Sequence, residues 1–189
     1  MTTDPHPWAA DLTLLHAQVW TRLVRGVGDR HAPARHPTLA TVTPGGLPDL
    51  RTVVLRAAES GAGTLDIHTD LRSAKVAALR HCPQVALHVW DASAQLQTRI
   101  AATVDILTGA AVAALWARVP QTSQAGYGTQ PEPGTPIAHA LDYAKTPDPA
   151  SFAVLRCTVH SIDALHLGPR HRRARFDRSD NWHGQWLSP

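Results

Sequence analysis

The sequence predicts a mainly β protein with flanking helices, built as an antiparallel barrel or sandwich. Three observations predict it. Short period-two runs separated by Gly- and Pro-rich turns fill the stretch from Thr38 to Leu107. No helical pattern separates the first three runs, which argues against a doubly wound sheet. The cleanest alternation, Gln95 to Leu107, sets Leu96, Ile100, Ala102, Val104 and Ile106 against Gln97, Arg99, Thr103 and Asp105.

The 189 residues, 43% of them hydrophobic, suit one domain with a sizeable core. Charged residues make up only 17%, so much of the surface must be neutral or packed against a partner. The net charge of +3 reflects an arginine excess, which suits phosphate-bearing small molecules as well as nucleic acid. Cys82 and Cys157 form no CxxC and read as buried thiols rather than a disulfide framework. The opening MTTDPHPW carries no secretory signal and leads into no membrane-spanning run, so a cytoplasmic protein is expected.

Within this single domain, residues 1–30 carry the first helix. From Asp11 to about Val27, Leu12, Leu15, Val19, Leu23 and Val24 form one apolar stripe, stopped by Gly26 and Gly28. Residues 38–107 are the barrel core. TLATVT turns through PGG into the return strand LPDLRTVVLRAA, and ESGAG leads into TLDIHTD, so that the early strands read as a meander. A short helix from about Ser73 to His81 ends at Pro83, and QVALHVW buries Val85, Leu87 and Val89. In residues 108–150, Thr108 caps a helix through GAAVAALWAR, a long Pro/Gly/Gln loop follows, and HALDYAK adds a helical turn. Residues 151–189 hold one or two strands in SFAVLRCTVHSIDALHL, a last strand in ARFDR, and a tail with Trp182 and Trp186.

Three pieces point to an anion. RTVVLR begins and ends in arginine, the usual residue for a bidentate grip on phosphate or carboxylate. In HTDLRSAK, Arg72 and Lys75 flank the first turn of a helix, where the backbone dipole is already positive. Cations there are unfavourable unless an anion sits among them, meeting the N–H groups, Ser73 and Lys75 together. Gln97 and Arg99 share the polar face of the patterned strand, and an amide can both donate and accept at a ring edge.

In this order, RTVVLR, HTDLRSAK, QTRIAATV and the ending RARF with W…WLSP resemble the pyridoxamine 5'-phosphate oxidase family of FMN-binding split barrels, in a short oxidase-related branch. The resemblance runs from about Thr38 to Pro189. It implies an antiparallel split β-barrel, a homodimer, and FMN bound at the subunit interface. By position it assigns the flavin to Arg51, Thr52, Val53, Val54, Leu55 and Arg56, then to His68 and Thr69 following the next strand. The phosphate falls to Ser73 and Lys75 and a ring contact to Gln97. Gln130 matches a second glutamine contact that the family draws from the partner subunit, and Arg175 matches a late arginine near the ring. Trp182 and Trp186 would pack in the dimer.

The sequence also departs from the family. Ala74 stands where the phosphate turn carries arginine, with Arg72 as its substitute, and Leu165 replaces a tryptophan near the flavin. The substrate-binding pair aligns with His171 and Arg173 in swapped order. Arg118 and Ser123 match substrate-phosphate residues only with one residue inserted, and the tyrosine expected before them is missing. These departures bear on the substrate side, so the resemblance supports FMN binding better than pyridoxamine phosphate oxidation. The activity it implies is that of an FMN-dependent oxidoreductase acting on a CH–NH2 donor with oxygen as acceptor. Alternatives are a non-catalytic FMN-binding dimer, or a barrel holding haem or a deazaflavin. PRHRRAR reads as a solvated or phosphate-facing turn rather than a nucleic-acid site. The histidines make no HExxH-like metal pattern.

Overall fold

A computed structural model describes residues 5–189. Helix α1 (Leu12–Gly28) is capped by Asp11, whose carboxylate accepts the Leu14 N–H at 2.8 Å. Leu15, Val19 and Leu23 face the core as expected, but Trp20 joins them while Val24 is left 49% exposed. Gly26 lies on the inner face, where a Cβ would come within 2.6 Å of the Ala34 backbone. The helix end is met by Arg35, which donates to the Val27 carbonyl at 2.6 Å and across to Leu55 at 3.2 Å.

The sheet comprises β1 (Thr38–Val42), β2 (Pro48–Thr52), β3 (Leu55–Glu59), β4 (Thr64–Asp70), β5 (Gln84–Asp91), β6 (Leu96–Leu107), β7 (Phe152–His166), β8 (Arg172–Asp177) and β9 (Gln185–Leu187). All pairings are antiparallel, and the main path runs β2-β1-β5-β6-β7-β4-β3. Strands β2 and β3 thus stand at opposite ends of the path, although only Val53 and Val54 separate them in the chain. The three steps from Thr52 to Leu55 span at most about 10 Å, so the sheet must curl until its ends meet. The result is a barrel with a seam at Val53–Val54.

That seam corrects the expected meander. The β1–β2 and β3–β4 hairpins form, but β2 does not run on into β3 as one strand, and neither pairs with the other. Val53 instead turns into the core at 7% exposure, its N–H donating to the Pro37 carbonyl at 3.0 Å. The barrel interior is filled by Leu39, Leu55, Ile67, Leu87, Ile100 and Ile162, with α1 packed against it. Each such side chain contributes about 1.5–3 kcal/mol by leaving water.

Further corrections concern the second half. The helix expected after Thr108 is a 3-10 turn, Gly109–Val112, followed by one turn, α3 (Ala113–Trp116), and Thr108 makes no side-chain cap. Without a cap, so short a segment cannot sustain a helix. HALDYAK forms no helix: Asp142 accepts the His139 N–H at 2.9 Å in a local turn, and Ala144 bridges to Gln130. A short helix, α4 (Gln121–Gln124), arises inside the expected loop. SFAVLRCTVHSIDALHL is one strand, β7, and the tail folds back on its own chain as β9 beside β8. No helix among the described residues is long and apolar enough to cross a membrane.

Candidate functional site

The end of β4 feeds directly into helix α2 (Ala74–His81), and His68 and Thr69 lie within β4 rather than after it. Alternation on β4 turns Thr69 inward and His68 outward, so the two neighbours serve different places. Ser73 is the N-cap of α2, yet its hydroxyl does not cap the helix. It accepts instead from the Lys75 ammonium at 3.2 Å, and Thr69 Oγ1 accepts from the same ammonium at 3.0 Å. Thr69 and Ser73 are both buried, 3.3 Å apart. Burial, and after it the nearby Arg51 guanidinium, pushes the Lys75 ammonium below its ordinary range.

Arg51 leans back along its hairpin. It donates to Thr41 Oγ1 at 2.7 Å and to the Leu39 carbonyl at 3.3 Å, and pairs with Asp49. The cluster therefore brings together two cations, two buried hydroxyls and the uncapped start of a helix. This arrangement suits a phosphate monoester: the N–H groups and both cations can be met by one dianion. Arg72 is placed differently from the expected substitute for Ala74. Its fork is taken by Asp70 at 3.0 and 2.7 Å, and it reaches on to the Thr129 carbonyl at 3.1 Å.

A second cluster lies on the outer face of β3 and β4. A bulge between Leu55 and Ala57 sets Arg56 out of the pairing register. Together with Asp66, His68, Leu115 and Arg118 it lines a cavity of about 180 Å³. The Arg56 Nε is a buried donor with no hydrogen-bond partner. Burial, then Arg56, brings His68 down to about 4 against a weaker opposing pull from Asp66, so the imidazole is neutral near pH 7. Behind His68 stands a stack the sequence reading missed: Phe152 meets His68 at 5.0 Å, Tyr127 at 5.1 Å and Trp116 at 5.2 Å. Burial raises the Tyr127 phenol, and the Arg56 charge works against that rise. Only its place in a Gly-rich loop, AGYG, marked Tyr127 beforehand.

The remaining expected residues lie elsewhere. Gln97 is half-buried on β6, opposite Trp90 and Leu165, and Leu165 pairs in turn with Arg173. Arg173 donates to Asp163 at 2.9 Å, a carboxylate it shares with Arg99, while Arg175 binds Asp177 at 2.9 Å. These partners hold both arginines well above their ordinary range, the side-chain hydrogen bond in each case leading. His171 is exposed in the turn before β8. Of the 51–56 strand, Thr52 is exposed, Val54 half-buried, and Leu55 buried in the core. Ser123 sits in α4, half-buried, and does not line the Arg56–Arg118 cavity. Gln130 forms the neck of a long arm through paired backbone bonds to Ala144. Trp182 stacks on His16 at 5.5 Å against its own core, whereas Trp186 is 45% exposed on β9.

The expected substrate residues thus fall into two groups. Arg118 joins residues that pair with β7 at Val154 and Arg156, and Arg173 pairs with β7 at Leu165. Nine or more residues of strand, about 30 Å, separate them along β7.

Residues 17–108 match the family model described as "Pyridoxamine 5'-phosphate oxidase, FMN-binding domain". A pyridoxine/pyridoxamine 5'-phosphate oxidase of Caulobacter vibrioides is 30% identical over 165 residues, covering 80% of this chain and 72% of that protein. The Arabidopsis thaliana pyridoxine/pyridoxamine 5'-phosphate oxidase 2 is 32% identical over 95 residues, about half of each protein. Among solved structures, a pyridoxamine 5'-phosphate oxidase-related, FMN-binding protein from Nostoc punctiforme aligns over the whole of both chains with a TM-score of 0.75 and 24% identity. PhzG from Burkholderia lata, solved with tetrahydrophenazine-1-carboxylic acid, aligns over 100% of this chain and 98% of its own with a TM-score of 0.72 and 21% identity. These two likenesses carry the fold, and the Caulobacter relative carries the family. By that relationship the chain belongs to the pyridoxamine 5'-phosphate oxidase-related family of FMN-binding split barrels.

Proposed function

We propose that this protein is an FMN-dependent oxidoreductase acting on a CH–NH2 donor with oxygen as acceptor. The observation that carries the cofactor is the Lys75 ammonium, held between the Thr69 and Ser73 hydroxyls beside Arg51. A buried cation repelled by a second cation is relieved when a phosphate enters between them. Lys75, Ser73, Thr69 and Arg51 would hold the FMN phosphate, and Gln97 would meet the ring. Bound there, FMN would supply the two-electron redox chemistry, with oxygen as the final acceptor, while these residues hold and orient it.

For the substrate, the Arg56–His68–Arg118 cavity supports an anionic group. The Arg56 and Arg118 guanidinium groups and the neutral His68 line one space where an anion can be met, and Asp66, the carboxylate beside them, is taken by Arg156 at 3.0 and 2.8 Å. The separation of Arg118 from Arg173 along β7 supports a homodimer in which each site draws on both subunits. One chain would supply Arg56 and Arg118, the other His171, Arg173 and Arg175.

The second reading is an FMN-holding dimer that does not turn over pyridoxamine phosphate. It is favoured by the engagement of Arg173 with Asp163 and of Arg175 with Asp177, which leaves these guanidinium groups already paired. Two measurements on the purified protein decide. A flavin absorption spectrum released as FMN supports both readings, and a haem Soret band rejects both. Peroxide release from the FMN-loaded protein on adding pyridoxamine phosphate supports the oxidase, and its absence leaves the binding dimer.

A further inference from the structure

Residues 128–148 leave the barrel as an arm and return to their starting point. The neck is closed by paired backbone bonds between Gln130 and Ala144, at 2.9 and 2.7 Å, and by Asp148 N to the Tyr127 carbonyl at 2.9 Å. Gly128 has φ +119°, and a Cβ there would stand 2.1 Å from the Thr146 carbonyl oxygen, so glycine alone lets the neck close. Beyond the neck nearly every residue is exposed, Leu141 by 81%. Such an arm keeps its place through its base.

The base is fastened to the anion-binding turn by one buried carboxylate. Asp70 accepts the Gly128 N–H at 3.1 Å, the Arg72 N–H at 2.9 Å and both prongs of the Arg72 guanidinium. Arg72 then donates to the Thr129 carbonyl at 3.1 Å. Asp70 also precedes the turn itself: its carbonyl accepts the Ser73 N–H at 3.1 Å, and Ser73 carries the hydroxyl that meets Lys75. A planar fork that holds the carboxylate while reaching a second acceptor cannot be reproduced by a single ammonium.

We propose that Asp70 and Arg72 are positioning residues that couple the Ser73–Lys75 turn to the arm carrying Gln130. An anion seated on the turn then steadies the arm, and an ordered arm tightens the anion, because coupling between two sites is reciprocal. The identity of that anion as FMN phosphate rests on the function proposed above; the clamp does not.

The test is amide hydrogen exchange across residues 128–146, with and without FMN, in the wild type, Arg72→Ala, Arg72→Lys and Arg156→Ala. Arg156 makes a similar fork to Asp66 on the same strand, at 3.0 and 2.8 Å, but no bond to the arm. Without FMN, both Arg72 variants should exchange about tenfold faster through the arm, while Arg156→Ala matches the wild type there. FMN should slow the arm in the wild type and Arg156→Ala and not in the Arg72 variants. Wild-type exchange in Arg72→Ala, or equal protection by FMN in all four proteins, overturns the clamp. A wild type that takes up no FMN sinks the cofactor reading alone, and the FMN-free comparison then decides the clamp.

Discussion

The Lys75 ammonium stands 3.0 Å from the Thr69 hydroxyl, a contact that joins the start of α2 to the end of β4. Replacing Lys75 with alanine should weaken FMN binding by about 1.5–3 kcal/mol, roughly 10- to 150-fold, the contribution of a charge-assisted hydrogen bond. Arg51→Ala should do the same: Asp49, 46% exposed, recovers water, while the buried Thr41 hydroxyl loses a donor, so urea unfolding beside the titration should show a folded, slightly less stable protein. Titration followed by quenching of flavin fluorescence measures both, and undiminished affinity in both variants rejects the placement of the phosphate.

The cavity between Arg56 and Arg118 makes a separate prediction. Arg118→Ala should raise KM for a phosphorylated amine about tenfold or more while leaving FMN affinity alone, because Arg118 lines the cavity and not the Lys75 turn. Arg173→Ala should leave the denaturation midpoint close to that of the wild type, since Asp163 keeps Arg99 at 2.6 Å and the pair lies near the surface. Steady-state kinetics and chemical denaturation check the two variants.

His68 should make the protein sensitive to mild acid. Its folded value of about 4 lies below the ordinary 6.5, so the unfolded chain binds the proton more readily between those values. Stability is therefore full above about pH 6.5 and falls as pH drops toward 4, by about 1–2 kcal/mol from this group once solvent screening of the half-buried ring is allowed for. His68→Gln should flatten that part of the curve in urea unfolding at pH 4.5 and 7. Arg56→Met should move the His68 titration upward, which NMR would read directly.

The two thiols should behave differently. Cys157 is fully buried in β7, and burial pushes its thiol up to about 12. Cys82, partly exposed after α2, should react with a thiol reagent in the native protein, while Cys157 waits for unfolding. Mass spectrometry after brief alkylation would show one modified peptide. Early labelling of Cys157 would contradict its packing.

Trp186 presents an exposed indole on β9, opposite Ala174. If FMN lies at a subunit interface that includes this strand, Trp186→Arg should dissociate the dimer and release flavin together. Size-exclusion chromatography with absorbance at flavin wavelengths tests the pair of outcomes; a monomer that retains FMN refutes the shared site.

Much of this was legible along the chain because local pattern carries it. The alternation of β5 and β6 is matched by the burial of Val85, Leu87, Val89, Leu96, Ile100, Ala102 and Val104, since a period of two places one face inside whatever the neighbours are. The cations of HTDLRSAK were readable because charge at a helix start is a local electrostatic fact. The Asp70 hub was not, because a carboxylate two residues before an arginine says nothing of Gly128, 58 residues away. Tyr127 and Phe152 were missed likewise: neither neighbours His68 in sequence, and only strand pairing sets Phe152 beside β4.

By itself, then, the sequence determined the antiparallel β class, the faces of its regular strands, the family, and the residue types of an anion site, all properties of short stretches and their order. Tertiary structure alone decided that β2 and β3 close a seam instead of forming one strand. It also assigned Arg72 to Asp70 and the arm, and carried Arg118 and Arg173 to opposite ends of β7. The physical reason is common to all three. Each depends on which distant groups satisfy a buried backbone, carboxylate or guanidinium, and that pairing exists only once the barrel has closed.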